Sequence, residues 1–193
     1  AKDFTIYDTD DSRRVVKDIL KELNLDDKAF PPKNVLSVIS NAKDQYLGPE
    51  EFARRHSAET DWRMARIAKI YAAYQKKLAS ASALDFDDII FHTVTLLKQE
   101  PEVLACYQKK FRYVCVDEYQ DTNHLQYLLT GLLAGGHRNL CVVGDDDQSI
   151  YRFRGATIEN ILSFEKQYSG CRTIRLEENY RSTGHILDAA NAV

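Results

Sequence analysis

The stretch Arg112 to Asn123, "RYVCVDEYQDTN", is an apolar run that stops on two adjacent carboxylates, Asp117 and Glu118. "RYVCVDE" reads as a short β-rich run, with the acids at its carboxyl end. An Asp at the tip of such a strand can hold Mg²⁺, usually through water. A following Glu can orient or deprotonate the water that attacks a γ-phosphate. The same letters also describe an acidic turn that caps the next helix, and the pair alone does not choose between the two.

Two further β-rich runs come after it, "NLCVVGD" and "TIRLEEN", separated by "HLQYLLTGLLA" and "TIENILSFEKQY", which have helical spacing and length. Strand, helix, strand, helix, strand predicts right-handed crossovers and a parallel sheet covered by helices, with ligands outside the carboxyl ends of the strands. All three runs end in acids: Asp117-Glu118, Asp145 to Asp147, and Glu177-Glu178. After the second run, Gln148 falls on the same sheet edge, its amide able to bond a phosphate oxygen or an attacking water. An acidic loop could bind Ca²⁺, but its one glycine and its spacing do not fit the twelve-residue calcium loop.

"YRFRG" comes next. In an extended chain Tyr151 and Phe153 face one way, and Arg152 and Arg154 the other. Aromatics interleaved with arginines can form a stacking platform for single-stranded bases, worth roughly 1–3 kcal/mol per base. The two rings could equally plug a core. "LEENYRS" adds Tyr180 and Arg181. The arginine could stabilise charge on a phosphate and the ring could stack on a purine, or the arginine could pair with Glu177 or Glu178 at the surface.

Upstream of the decisive stretch the pattern is helical. "DDSRRVVKDILKEL" carries Val15, Val16, Ile19, Leu20 and Leu23 at helical spacing, Pro32 and Pro49 open two shorter segments, and a longer helix runs from about Glu59 to Ala79. The basic residues of that longer helix, Arg63, Arg66, Lys69, Lys76 and Lys77, lie mostly away from its apolar stripe and read as a solvated face. Asp85, with Asp88 three residues on, predicts a capped helix to about Gln99, and another amphipathic segment begins at Pro101.

Composition bounds the rest. The 193 residues are 44% hydrophobic, enough for one large or two small cores. Residues 1–83 are slightly basic and 84–193 acidic, giving a net charge of −3, so contact with nucleic acid would have to come from a local cluster. No long apolar run or secretory core is present, which predicts a cytoplasmic protein without membrane partners. The four cysteines show no C-x-x-C pairing, which argues against zinc and disulfides; Cys115 and Cys141 are expected as small buried hydrophobes.

"VCVDEYQDTN", "VVGDDDQSIYRFRGA" and "LEENYRSTGHIL" resemble motifs II, III and IV of superfamily 1 DNA helicases of the UvrD, Rep and PcrA type, and "ALDFDDII" resembles the return from their inserted helical subdomain. The resemblance implies an α/β fold class: a partial RecA-like parallel sheet with flanking helices, preceded by an all-α subdomain. Residues 1–82 would be the insertion, called 1B, residues 83–183 the later part of the first RecA-like domain, and residues 184–193 the start of the second. It also implies that Asp117 binds Mg²⁺, Glu118 is the catalytic base and Gln148 senses the γ-phosphate of ATP. Tyr180 would stack on adenine and Arg181 contact the γ-phosphate. Tyr151, Phe153 and Arg154 would contact single-stranded DNA, with Phe153 where the family commonly has tryptophan. The activity implied is ATP-dependent 3′ to 5′ translocation on single-stranded DNA and unwinding of duplex DNA.

One departure from the family is plain. Such a hydrolase needs G-x-x-x-x-G-K-[ST] to cradle phosphates, and the chain has no Gly-Lys dipeptide. In the family that loop precedes the insertion. The expectation is an excised fragment of a larger helicase, inactive alone, with exposed strand edges that invite self-association. The other readings are the motor portion of a recombination helicase-nuclease, and a nucleic-acid-binding regulatory protein that has lost catalysis.

Overall fold

The computed structural model describes residues 3–56, 61–145, 148 and 159–192. Residues 1–162 form one compact unit and residues 163–193 a second.

The first unit begins with strand β1 (Thr5–Ile6) and helix α1 (Thr9–Glu22). Asp8 caps α1, accepting from the Asp10 and Asp11 N–H groups at 2.8 Å each. Helices α2 (Pro32–Asp44) and α3 (Pro49–Arg55) both open on proline, whose fixed φ suits the first helical position and whose missing N–H has no intrahelical partner to lose. Helix α4 (Trp62–Ser80) comes next, capped by Asp61. The apolar stripes of α1, α2 and α4 meet in one core. Val16, Ile19, Leu20, Val35, Ile39, Ile67, Ile70 and Leu78 are buried there, together with Phe30 from the α1–α2 connection and Phe52 of α3. Each such side chain is worth roughly 1.5–3 kcal/mol on burial, more than the intrinsic helix preference of an ordinary residue.

Strand β2 (Ala83–Leu84) pairs in parallel with β1, Thr5 opposite Ala83. The region before residue 83 is therefore not wholly helical, which departs from the all-α expectation. β1 is too short and too exposed to show period-2 patterning. Helix α5 (Phe86–Gln99) starts on the anticipated cap. Asp85 accepts from the Asp88 N–H at 2.8 Å, and the Asp88 carboxylate accepts from the Asp85 N–H. The same two acids flank the Lys43 ammonium, at 2.6 and 2.8 Å, with Lys43 and Asp88 each 1% exposed. This buried ionic cluster joins α2 to α5. Tyr74 from α4 completes it, donating to Asp85 Oδ2 at 2.9 Å and lying 3.0 Å from Ser12 Oγ.

Helix α6 (Pro101–Lys110) leads to β3 (Val114–Val116), a single 3₁₀ turn (Tyr119–Asp121), α7 (His124–Ala134) and β4 (Leu140–Val142). β3 and β4 are parallel, with Cys115 opposite Cys141. This is the predicted strand, helix, strand unit, and it makes the chain mixed α/β. The strands alternate half-buried, exposed, half-buried, so Cys115 and Cys141 are exposed and not buried as expected. Alternation turns successive side chains to opposite faces, and among the described residues only one face of this ladder is covered.

Helix α8 (Glu159–Leu162) closes the first unit. The second unit contains α9 (Phe164–Gln167) and α10 (Gly184–Asn191). The predicted single helix over "TIENILSFEKQY" is thus two short pieces, and Thr157 and Ile158 lie outside the described residues. The predicted third strand does not form among the described residues. Residues 173–178 join no described ladder, and Ile174 and Leu176 are 67% and 86% exposed. A β-rich composition is expressed only where a neighbouring edge and a covering face exist. No helix among the described residues is long and apolar enough to cross a membrane.

Candidate functional site

The decisive stretch divides into exposed acids and buried anchors. Asp117 and Glu118 leave the carboxyl end of β3 exposed to solvent, whereas Tyr119, Gln120, Thr122 and Asn123 are buried. The change of direction sits at Glu118, whose φ of 50° and ψ of 43° place it in the left-handed region. A residue with a Cβ pays about 1–3 kcal/mol for a sparsely populated backbone conformation of this sort, so the surroundings must hold it. They do so on both sides. The Glu118 N–H donates to Asp117 Oδ1 at 2.9 Å, and the Tyr119 N–H donates to the Val143 carbonyl at 2.9 Å.

The anchors hold the remainder of the loop. Thr122 Oγ1 donates to the Tyr119 carbonyl at 2.7 Å. Asn123 caps α7 in a reciprocal box with Gln126 and donates from Nδ2 to Asp44 Oδ1 at 2.8 Å, tying the turn to the end of α2. Asn160 of α8 donates to the Thr122 carbonyl at 3.0 Å. The acids therefore stand on a loop whose polar interior is hydrogen-bonded within itself, to α2 and to α8.

Gln120 joins this loop to the end of β4. It is 1% exposed, its Nε2 donates to Glu118 Oε2 at 2.8 Å, and its Oε1 accepts from the Asp145 N–H at 3.1 Å. Gln148 in turn donates from Nε2 to Asp145 Oδ2 at 2.7 Å. Asp117, Glu118, Asp145 and Gln148 are thus collected at the carboxyl ends of two adjacent parallel strands, the edge where such sheets gather ligands. Neither Asp117 nor Glu118 is ion-paired to a described cation, and the Asp117 carboxylate accepts from the neighbouring Glu118 N–H. No group of three or more His, Cys, Asp or Glu among the described residues could cage a metal ion. Exposed carboxylates without a cationic partner suit Mg²⁺, which takes one or two of them and completes its shell with water and phosphate.

Tyr151, Phe153 and Arg154, like Asp146 and Asp147, lie outside the described residues. Tyr180 and Arg181 belong to the second unit. Tyr180 is 86% exposed, and its hydroxyl donates to Glu178 Oε2 at 2.7 Å, which raises the phenol above the ordinary tyrosine range. Asn179 Oδ1 accepts from the Arg181 and Ser182 N–H groups at 2.9 Å each, and Arg181 makes no ion pair with Glu177 or Glu178.

Sequence reasoning picked out the acids and passed over Gln120 and Gly144. A cue was present, because polar residues between a strand and a helix must be hydrogen-bonded if buried, but the sequence does not say which are buried. Gly144 is demanded by close approach: a Cβ there would stand 2.6 Å from Gln120 Oε1 and 2.7 Å from Ile161 Cδ1.

Residues 1–169 match the UvrD/REP helicase N-terminal domain. Over 192 residues the chain is 54% identical to the ATP-dependent DNA helicase PcrA of Bacillus subtilis (strain 168), and 51% identical to that of Staphylococcus aureus (strain Mu50). Both alignments cover 100% of this chain and 26% of the relative, so the chain spans about a quarter of the length of the curated relatives it matches.

Proposed function

The chain belongs to the UvrD/REP helicase family, and on that premise we propose that it carries the metal-and-water half of a Mg-ATP hydrolysis site in an ATP-dependent DNA helicase. The observation that carries this reading is the meeting of Asp117, Glu118 and Gln148 at one sheet edge, with Asp117 and Glu118 uncompensated by any described cation.

Asp117 is assigned to hold Mg²⁺ through water, and Glu118 to take the proton of the attacking water. The exposed Glu118 carboxylate keeps Oε1 available while Oε2 is held by Gln120. Gln148 would report the presence of the γ-phosphate. ATP would supply the phosphoryl group, and Mg²⁺ the positive charge that balances Asp117. Tyr180, largely exposed, would stack on adenine, and Arg181, not paired with Glu177 or Glu178, would meet the γ-phosphate. Tyr151, Phe153 and Arg154 are assigned to the single-stranded DNA track, with 3′ to 5′ movement. Residues 1–82 would be the inserted helical subdomain, 83–183 the later part of the first RecA-like domain, and 184–193 the start of the second.

Without G-x-x-x-x-G-K-[ST] the chain by itself has no cradle for the phosphates, and it is assigned no hydrolysis of its own. That cradle would be supplied elsewhere in a full-length polypeptide. Self-association through the outer edges of the β3/β4 ladder is part of the same reading, and a monomer at high concentration by light scattering would count against it.

The test is Glu118→Gln in the full-length polypeptide. Nucleotide binding should remain near normal while DNA-stimulated ATP turnover is abolished. Near-normal turnover would remove Glu118 from the base role.

A further inference from the structure

Beyond the two acids, the site contains a buried amide that spans it. From Gln148 to Glu118 the hydrogen bonds are continuous: Gln148 Nε2 to Asp145 Oδ2 at 2.7 Å, the Asp145 N–H to Gln120 Oε1 at 3.1 Å, and Gln120 Nε2 to Glu118 Oε2 at 2.8 Å. We infer that Gln120 is a positioning residue, fixing the Glu118 carboxylate and linking it to the Asp145–Gln148 loop. This rests on the proposed role of Glu118 and extends it to a residue that need touch neither nucleotide nor water.

Three physical points carry the inference. The orientation of the amide is settled by its partners. A carboxylate can only accept and a backbone N–H can only donate, so turning the amide over would set oxygen against oxygen and N–H against N–H. Gln120 is also 1% exposed, so losing either bond would leave one of its polar atoms buried without a partner. Finally, Glu118 sits in a left-handed backbone conformation at the head of the 3₁₀ turn, and among the described residues its carboxylate has no side-chain partner other than Gln120 to restrict it. The Gln120 bond supplies that restriction. Gly144 makes room for it, since any side chain at that position would meet Gln120 Oε1.

The alternative is a structural amide that merely staples the loop to β4 through Asp145. The two roles separate in an isotope-labelled sample of this chain, by NMR of the Gln120 side-chain NH₂. In the unsubstituted protein that NH₂ should exchange slowly with solvent. Glu118→Ala, a change at an exposed residue, should shift the resonance and speed its exchange at least about tenfold, because its acceptor is gone. An NH₂ unaffected by Glu118→Ala would overturn the inference.

Kinetics in the full-length polypeptide give the second arm. Gln120→Met keeps the volume and removes both bonds. It should lower kcat for DNA-stimulated ATP hydrolysis about 10- to 100-fold, as a misplaced reacting group does, with KM for ATP changed by less than about twofold. Added to Glu118→Gln it should cost nothing further, because it acts through the group already removed. A rise in KM at unchanged kcat, or losses that multiply, would overturn the positioning role. Turnover that survives Glu118→Gln alone would instead sink the base assignment beneath it, a result the NMR arm does not share.

Discussion

Gly144 and Gln120 compete for one space: a Cβ on the glycine would come within 2.6 Å of the glutamine Oε1. Gly144→Ala must displace either the buried amide or the Ile161 side chain, whose Cδ1 would be 2.7 Å away. The expected cost is about 1–3 kcal/mol, as for other overpacked sites, read from the urea midpoint. Unchanged stability, with the Gln120 NH₂ still slow to exchange, would show that the loop gives way freely.

The buried ionic cluster predicts a larger effect. Lys43 is 1% exposed between Asp85 and Asp88, and Lys43→Met would leave two carboxylates facing each other without a cation. Breaking a buried pair from one side costs about 3–5 kcal/mol, which should lower the urea midpoint sharply and loosen the start of α5 that both acids cap. A variant within about 1 kcal/mol of the unsubstituted protein would mean that water reaches the cluster and screens it.

Cys115 and Cys141 lie opposite each other on adjacent parallel strands, and both are exposed. Each should react with a maleimide in the folded protein, without denaturant, at a rate set by thiol exposure. Labelling that waits for denaturant would show that the outer face of the β3/β4 ladder is covered in solution.

His124, the first residue of α7, is exposed, and partial desolvation of its ring first and the Lys98 charge second lower its pKa. The folded protein favours the neutral ring, so the unfolded chain binds more protons as the pH falls below about 6.5, the ordinary imidazole value. The contribution is complete above that value and is lost as the pH drops through the folded pKa. The urea midpoint should therefore fall between about pH 7 and pH 5, and His124→Gln should flatten that slope. An unchanged slope in the variant would exclude His124 as its source.

The long amphipathic segments were legible because their evidence is repeated over many residues. Pro32, Pro49 and Pro101 each open a helix, and the Asp85 cap with Asp88 is present as spaced. "HLQYLLTGLLA" is a helix over its whole length. β3 and β4 were found because their apolar runs stop abruptly on polar residues. The third strand was misread because Thr173 to Glu178 has strand composition yet joins no described ladder, and composition cannot report whether a strand finds a partner. Cys115 and Cys141 were misplaced for a related reason: a short run of apolar residues does not reveal that one face of its sheet is left uncovered by the described residues. In the site, the acids were visible as charges at a strand end. Gln120 was not, because its importance lies in joining Glu118 to Asp145, which are far apart in sequence and meet only when the loop closes. Gly144 is intelligible only once Gln120 is in place.

The hydroxyls of Tyr71 and Tyr74 give the helical core an optical signature. Both rings are almost wholly buried, and burial, reinforced by the Asp85 and Asp88 charges, raises both phenols far above the usual value of 10.0. Tyr71 donates to the Leu47 carbonyl at 3.1 Å and Tyr74 to Asp85, so ionising either would break a bond within the packed interior. Their contribution to stability is intact below the ordinary tyrosine pKa and is withdrawn in strong base, where only the unfolded chain can release those protons. In an alkaline titration the last phenolate absorbance would thus appear together with the loss of helical circular dichroism, and the two tyrosines would record when the α1, α2 and α4 core comes apart.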